Sequence, residues 1–368
     1  MAGSKIYTGI GSRAITKYVS YDLVCLGFVM AVRGYKHLAG GAIGSDWSFH
    51  MGAIIAQRYL ASVGKFVSVG DLTTAIIPWN GFNSLDRSLD WVTTDIDKRA
   101  IEIASEFHGG WENLSQAVKK LMSRNVHQVL GLDLQTYSEF VFAFTSDGVD
   151  GVQRKTTAKT GGTGQAIRIA ASYDVPVRNV GNPEVRARMR QWVADELDKI
   201  SQQYNTDAVA FIDFQILMDK PVNAKWVKGE IVDLFTTGSF DAVIHVCNCQ
   251  NKLGNGVAKS LAQAFPKLKE VDAAKGKGRS LLGSFSVLNT EFGSIYNAYG
   301  QMYWGRDKDV LYLDYAKLEA ALREIHQFTR KKRVLIPVLG AGTANGCWLS
   351  IVQILRQFPD WELTIVRG

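Results

Sequence analysis

Apolar residues fall along the chain in short blocks punctuated by glycine turns, and the spacing inside the blocks alternates between strand-like and helix-like. Lys5-Ile6-Tyr7-Thr8-Gly9-Ile10-Gly11-Ser12-Arg13 reads as a short strand running into a glycine turn. Val24, Leu26, Phe28, Val29 and Val32 then supply the buried side of a helix over about 17–33. Tyr35-Lys36-His37-Leu38, the turn Gly40-Gly41-Ala42-Ile43-Gly44-Ser45-Asp46 and a second helix to about 61 repeat the unit. Such alternation predicts a parallel α/β sheet. Phe140-Val141-Phe142-Ala143-Phe144 is continuous enough for a strand buried on both faces. A polar loop at 145–160, the run Thr160-Gly161-Gly162-Thr163-Gly164, a helix at 165–172, a strand at Val175-Pro176-Val177 and an amphipathic helix at 184–201 follow.

The pattern then restarts. Residues 202–223 read as a linker with a small strand at Ala208-Val209-Ala210-Phe211-Ile212. The second segment restarts at 224–231, with strands expected at 242–248, 285–288, 294–297, 310–312, 334–338 and 362–366, and helices at 257–265, 315–329 and 347–357. These imply a second α/β domain with a mixed sheet over 224–368, after a first domain over 1–201.

Composition narrows the class. The 368 residues are 46% hydrophobic and 21% charged, which suits a core-forming protein and excludes a disordered tail or a disulfide scaffold. No run approaches the roughly 18 apolar residues of a membrane span, and the N-terminus lacks a targeting pattern, so the expected location is the cytoplasm. Net charge is +7, shared by both halves, and identifies no partner. Arg330-Lys331-Lys332-Arg333 precedes an apolar strand and reads as its solvated entrance, not as a nucleic-acid footprint. Cys25, Cys247, Cys249 and Cys347 and the scattered histidines form no metal-ligand spacing, and no cofactor is expected.

The chemistry sits in the glycine turns. Three glycine clusters in the first half each follow a strand and precede a helix, where backbone can approach a phosphate and helix N–H groups are unpaired. Arg13 could pair with a phosphate and Ser12 could donate to one. Asp46 could cap its helix or orient a ribose hydroxyl. Trp79 and Phe82 could stack on a base or pack, and Arg124 and Asn125 follow an apolar helix face.

Thr8–Arg13, Gly40-Gly41-Ala42 with Asp46, Pro78–Asn83, Leu121-Met122-Ser123-Arg124-Asn125 and Lys159–Ala166 occur in an order that resembles phage and bacterial members of the SLOG superfamily. The resemblance covers about 5–181 and implies a Rossmann-like nucleotide-binding domain, related to DprA and to the cytokinin-activating hydrolases. It would place ligand contacts at Gly9, Gly11, Ser12, Arg13, Gly40, Gly41, Asp46, Arg124, Gly161, Gly162, Thr163, Gly164 and Gln165. The hydrolases' loop carries a glutamate; here Gln165 is followed by Ala166-Ile167-Arg168, so binding is expected in preference to base release. The resemblance also leaves room for a homo-oligomer.

Trp226–Ile231, the strand ending in Asn248, Gly254-Asn255-Gly256-Val257-Ala258 and Ile336–Gly342 resemble a macro domain over about 224–367, in the branch of the ADP-ribose 1″-phosphate phosphatase and the terminal ADP-ribose glycohydrolase. That resemblance implies an α/β/α fold and an ADP-ribose site. Glu230 and Ile231 would meet adenine and Asn248 the distal ribose. Gly254, Gly256 and Val257 would line the ribose and diphosphate, Tyr299 or Tyr303 would pack on the ribose or serve as lid or core, and Gly340, Ala341, Gly342 and Thr343 would form the facing phosphate loop. The glycohydrolase lysine is missing from Tyr299–Trp304, and Cys347 stands where relatives carry an acid. Asn248 and Cys347 are the catalytic candidates, and His245 reads as a core histidine.

The expected function is binding, with hydrolysis or sequestration, of ADP-ribose or a cyclic derivative, in host cytoplasm if the chain is phage-encoded. The alternatives are ADP-ribose 1″-phosphate or ADP-ribosyl-protein hydrolysis, and DprA-like nucleic-acid binding, which the absence of a readable basic aromatic strip disfavours.

Overall fold

A computed structural model describes residues 5–367, and the chain in it forms two units. One holds the residues up to Arg13 together with Val19–Leu217; the other holds Ala14–Tyr18 and the chain from Met218 onward. Among the described residues no helix is long and apolar enough to cross a membrane.

The first unit is built on a six-stranded sheet in the order β4-β3-β2-β1-β5-β6, parallel throughout. Its strands are β1 (Lys5–Gly11), β2 (Tyr35–Ala39), β3 (Thr73–Ile76), β4 (Val92–Thr93), β5 (Val141–Phe144) and β6 (Val177–Asn179). The helices are α1 (Lys17–Val32), α2 (Ser45–Ser62), α3 (Val69–Leu72), α4 (Lys98–Glu106), α5 (Gln116–Leu130), α6 (Thr163–Ser172), α7 (Pro183–Tyr204) and α8 (Ala208–Met218). Helix α1 is buried without interruption from Leu23 to Ala31, so it is wrapped on all sides instead of showing one apolar stripe. Small residues make that possible. A Cβ on Gly27 would lie 2.8 Å from the Phe49 carbonyl oxygen, and one on Gly52 would lie 2.4 Å from that of Val24. The backbones of α1 and α2 therefore pass in direct contact.

Two expectations in this unit are corrected. Ala208–Ile212, read as a small strand in a linker, lies in α8. Five consecutive apolar residues carry no period, and the caps decide: Asp207 Oδ1 accepts from Ala210 N–H (2.9 Å) and Ser201 Oγ from Ala208 N–H (3.0 Å). The edge strand begins at Val177 instead of Val175, because Pro176 has no N–H to give a ladder.

The second unit carries a mixed six-stranded sheet in the order β7-β12-β11-β8-β10-β9. Its strands are β7 (Lys225–Lys228), β8 (Ala242–Asn248), β9 (Phe285–Thr290), β10 (Gly293–Gln301), β11 (Arg333–Pro337) and β12 (Glu362–Arg367). All pairs are parallel except the β9–β10 hairpin. The helices are α9 (Ile231–Thr236), α10 (Gly256–Ala264), α11 (Lys267–Ala274), α12 (Tyr315–Thr329) and α13 (Trp348–Leu355). The expected strand at 310–312 is absent. That stretch is a loop, with the N–H groups of Tyr312 and Leu313 donating to the Ala344 carbonyl (3.1 and 3.2 Å).

Both cores hold neutral histidines. Thr73 Oγ1 lies between His37 Nδ1 (2.9 Å) and His50 Nδ1 (2.7 Å), and His37 Nε2 meets the Gly9 carbonyl at 3.1 Å. Burial lowers His37 from 6.5 to about 3, pushes His50 well down, and takes His245 of the second unit to about 4. The unfolded chain takes up protons near 6.5 while the folded chain does not. Stability is therefore full above that pH and falls progressively as pH drops toward 3. Urea denaturation at pH 7 and pH 5 should give a lower midpoint at pH 5 for both units, and a pH-independent midpoint would show the imidazoles to be accessible.

Candidate functional site

In the first unit the carboxyl ends of the parallel strands open into a cavity of about 330 Å³. Strand β1 delivers Gly11-Ser12-Arg13, helix α5 delivers Arg124, Asn125 and Gln128, and the loop into α6 delivers Lys159, Gly161, Gly162 and Thr163. A Cβ on Gly11 would fall 2.4 Å from the Phe144 carbonyl oxygen, so only glycine lets the chain turn here. The loop before α6 is pinned by Asp147, whose carboxylate accepts from the hydroxyls of Thr145 (2.7 Å) and Thr160 (2.6 Å). Gly161 has φ 63° with open space beside it.

Asp46 ties two of the glycine turns together. Its carboxylate accepts from Gly11 N–H (3.2 Å) and Gly40 N–H (3.0 Å). Burial raises its pKa, opposed by the neighbouring Arg124 and by these N–H groups. Arg124 donates to the Gly40 carbonyl and lies over the Phe82 ring at 5.2 Å. Burial lowers its guanidinium to about 10, opposed by Asp46 and reinforced by Arg13. Arg124 Nε and Gln128 Nε2 are buried without a hydrogen-bond partner. The lining is thus donor-rich and cationic, with three basic side chains (Arg13, Arg124, Lys159) against one carboxylate.

Of the residues expected to contact ligand here, Gly11, Ser12, Arg13, Asp46, Arg124, Gly161, Gly162 and Thr163 line the cavity. The others are corrected to supporting roles. Gly9 lies inside β1, where a Cβ would be 2.7 Å from His37 Nε2 and 2.6 Å from the Phe49 ring. Gly40 backs Arg124, and Gly41 accepts from Asn83 Nδ2 (3.0 Å). Gly164 packs on Thr160, while Gln165 donates to Ala104 O (2.9 Å) and accepts from Asn125 (3.0 Å). Trp79 packs edge-on against Phe82 outside the lining. Lys159, Thr145, Ser146 and Gln128 were missed as lining residues; the position of Lys159 directly before Thr160-Gly161-Gly162 was a usable signal.

In the second unit a cleft of about 340 Å³ opens at the carboxyl ends of β8 and β10. Asn248, Gly254 and Thr343 line it, together with Cys247, Lys252, Asn255, Gln301, Trp304 and Arg306. Asn248 is committed to its own loop: Oδ1 accepts from Gln250 N–H (3.0 Å) and Lys252 N–H (3.3 Å), and Nδ2 donates to Lys252 O (2.9 Å). It shapes the turn that aims Lys252. Asn345 Nδ2 donates to Asp307 O (2.7 Å) and Val310 O (2.8 Å), fixing the loop that carries Trp304 and Arg306.

The remaining expectations in this unit are corrected. Tyr299 is fully buried, donating to Asp272 Oδ1 (2.7 Å), so it cannot pack on a ribose. Ile231 belongs to the core, Val257 packs half-buried against it, and Glu230 sits at the start of α9 outside the cleft lining. Gly256 has φ 51° where α10 begins. Gly340 turns with φ 61° against Leu313, and neither it, Ala341 nor Gly342 lines the cleft. Cys347 is 2% exposed, and its N–H donates to Tyr315 Oη (2.7 Å), leaving it no access as a nucleophile. His245 is the neutral core histidine anticipated, its Nε2 at 2.6 Å from Asn297 Oδ1.

No family model matches the chain. An uncharacterized 17.5 kDa protein from the tk-vs intergenic region of Enterobacteria phage T4 is 32% identical over 156 residues, spanning 38% of this chain and 96% of the phage protein. The chain belongs to the family of that phage protein. Membership of this T4 phage-protein family carries no stated activity. Among solved structures, the macrodomain of Mycobacterium tuberculosis DarG is 19% identical, with coverage of 39% of this chain and 97% of that one and a TM-score of 0.33. Thermosipho africanus DarTG in complex with ADP-ribose is 15% identical, with coverage of 47% and 50% and a TM-score of 0.32. A Bacteroides thetaiotaomicron protein of unknown function is 24% identical, with coverage of 39% and 96% and a TM-score of 0.33.

Asp46 should be the weak point of the first cavity. Asp46→Asn keeps the shape but removes one acceptor and leaves the Arg124 charge uncompensated, which should cost about 3 kcal/mol. Urea unfolding of the variant measures this, and a loss below 0.5 kcal/mol (about the noise of a surface change) would mean that the carboxylate does not hold the turns.

Proposed function

We propose that this protein binds nucleotides of the ADP-ribose class, holding them without hydrolysis. The observation that carries the reading is the second-unit cleft. Asn248, Gly254 and Thr343, the residues of the macro-like motifs that reach it, stand there beside two cations, Lys252 and Arg306. No carboxylate lines that cleft among the described residues. A diphosphate is attracted to the two cations, and the Trp304 side chain, 60% exposed, offers a face for a ring. Hydrolysis of a ribosyl bond calls for a general base or nucleophile. Of the cleft's own candidates, the Cys247 thiol is buried and pushed well above its ordinary pKa by that burial, and Lys252 is assigned to the diphosphate; neither Cys347 nor the core imidazole of His245 lines the cleft.

The first-unit cavity takes a second phosphate-bearing ligand in this reading. The open Gly161-Gly162 entrance to α6, a helix of ten residues, receives the phosphate with Arg13 and Lys159 beside it. Asp46, its two oxygens already accepting backbone N–H groups, serves as scaffold and not as a base. The domain assignment, SLOG-like then macro-like, belongs to the same reading. Sequestration of a nucleotide signal is the biological role it suggests.

Calorimetric titration of ADP-ribose should show saturable binding to the wild-type protein and at least tenfold weaker binding to Arg306→Ala. Absence of heat, or equal affinity in the variant, would remove the cleft assignment. Mass analysis of ADP-ribose 1″-phosphate after prolonged incubation should return it intact, and release of ADP-ribose with inorganic phosphate would replace sequestration by hydrolysis.

A further inference from the structure

Strand β6 is the outermost strand of the first sheet. Val141 N–H donates to Pro176 O, and Val180 N–H to Ala143 O, each at 2.8 Å. The parallel ladder therefore uses Arg178 toward β5 and turns the N–H and C=O of Val177 toward the free edge. Natural edges are usually blocked; this one opens into a groove of about 720 Å³, more than twice the 330 Å³ of the glycine cavity.

The groove straddles that edge. On one side stands the loop with Val152, which is 64% exposed, and Arg154; on the other stands α7 with Arg188 and Trp192, the latter 40% exposed. Arg178 lies between them, stacked over Phe140 at 5.6 Å. None of the three arginines forms an ion pair among the described residues. Of the two carboxylates in the wall, Asp150 is occupied by its own turn, accepting from Val152 N–H (2.9 Å) and Arg154 N–H (3.0 Å). Glu184 remains, so the groove is cationic.

We infer that this groove is a docking site for an extended acidic peptide segment of a partner protein, which adds to the sheet beside β6. Main-chain pairing at Val177 supplies register, alternate side chains fall toward Val152 on one face and Trp192 on the other, and acidic side chains meet Arg154, Arg178 and Arg188. A second copy of the chain fits poorly. Two-fold pairing of β6 with itself would set these arginines against their equivalents. A single-stranded nucleic acid would leave the Val177 main chain unpaired and would find only one exposed ring, Trp192, where stacking platforms use several.

The test is selection of a displayed library of random dodecapeptides on the intact protein, counter-selected against Arg154→Glu/Arg188→Glu, with enriched peptides then measured by fluorescence anisotropy. The expected result is enrichment of alternating apolar and acidic sequences, at least tenfold weaker binding to the double variant, and slowed hydrogen exchange at the Val177 amide on binding. Arg188→Gln, an exposed and unpaired position, serves if the double variant does not fold, with at least a threefold loss expected. No enrichment, neutral or basic consensus, or unchanged affinity in the variants overturns the inference. So does equal competition by oligothymidylate, which would make the groove a polyanion site. A dimer that the Arg188→Gln change alters would make it an interface between copies.

Discussion

A strand inside a parallel sheet is buried on both faces, so its main chain meets solvent only at its ends. That constraint organises both units of this protein. It forces the polar, glycine-bearing connections to the carboxyl ends of the strands, and it puts the charged side chains that those connections carry into the same place. In the first unit the outcome is a cationic cavity with Asp46 as its internal tie; in the second it is a cleft with Lys252 and Arg306.

The polar groups in the two cores show how tightly that arrangement is held. Asp46 joins the turn after β1 to the turn after β2, and Arg124 on α5 closes the set from the opposite side. In the second unit Tyr299, Asp272, Ser286, Asn297 and His245 form a continuous buried chain of hydrogen bonds across the sheet. Such chains are costly to break singly, and they occupy side chains that a motif alone would assign to ligand. Tyr299 is the clearest case. Asn248 is another, because its amide is used on the loop that places Lys252.

Much of the fold was legible along the chain. The glycine turns following strands marked the carboxyl edge of each sheet, and β1, β2, β5, β8 and β11 stood out as apolar runs of strand length. The short apolar runs were not decidable. Ala208–Ile212 became helix because Asp207 and Ser201 cap it, and 310–312 became loop because its N–H groups find Ala344. Both outcomes rest on hydrogen-bond partners, which periodicity does not encode.

Sequence by itself determined that there would be two α/β units and that glycine loops would crowd one end of each sheet, since hydrophobic period and glycine placement are local properties. Which loop residues face a ligand was decided only by tertiary structure. Gly9 and Gly11 stand two apart in β1, yet Gly9 is packed against Phe49 and His37 while Gly11 lines the cavity. Lys252 and Arg306, more than fifty residues apart in the chain, share a cleft because β8 and β10 pair side by side. The β6 groove likewise exists only because the sheet ends there, leaving Val177 with no strand to pair with.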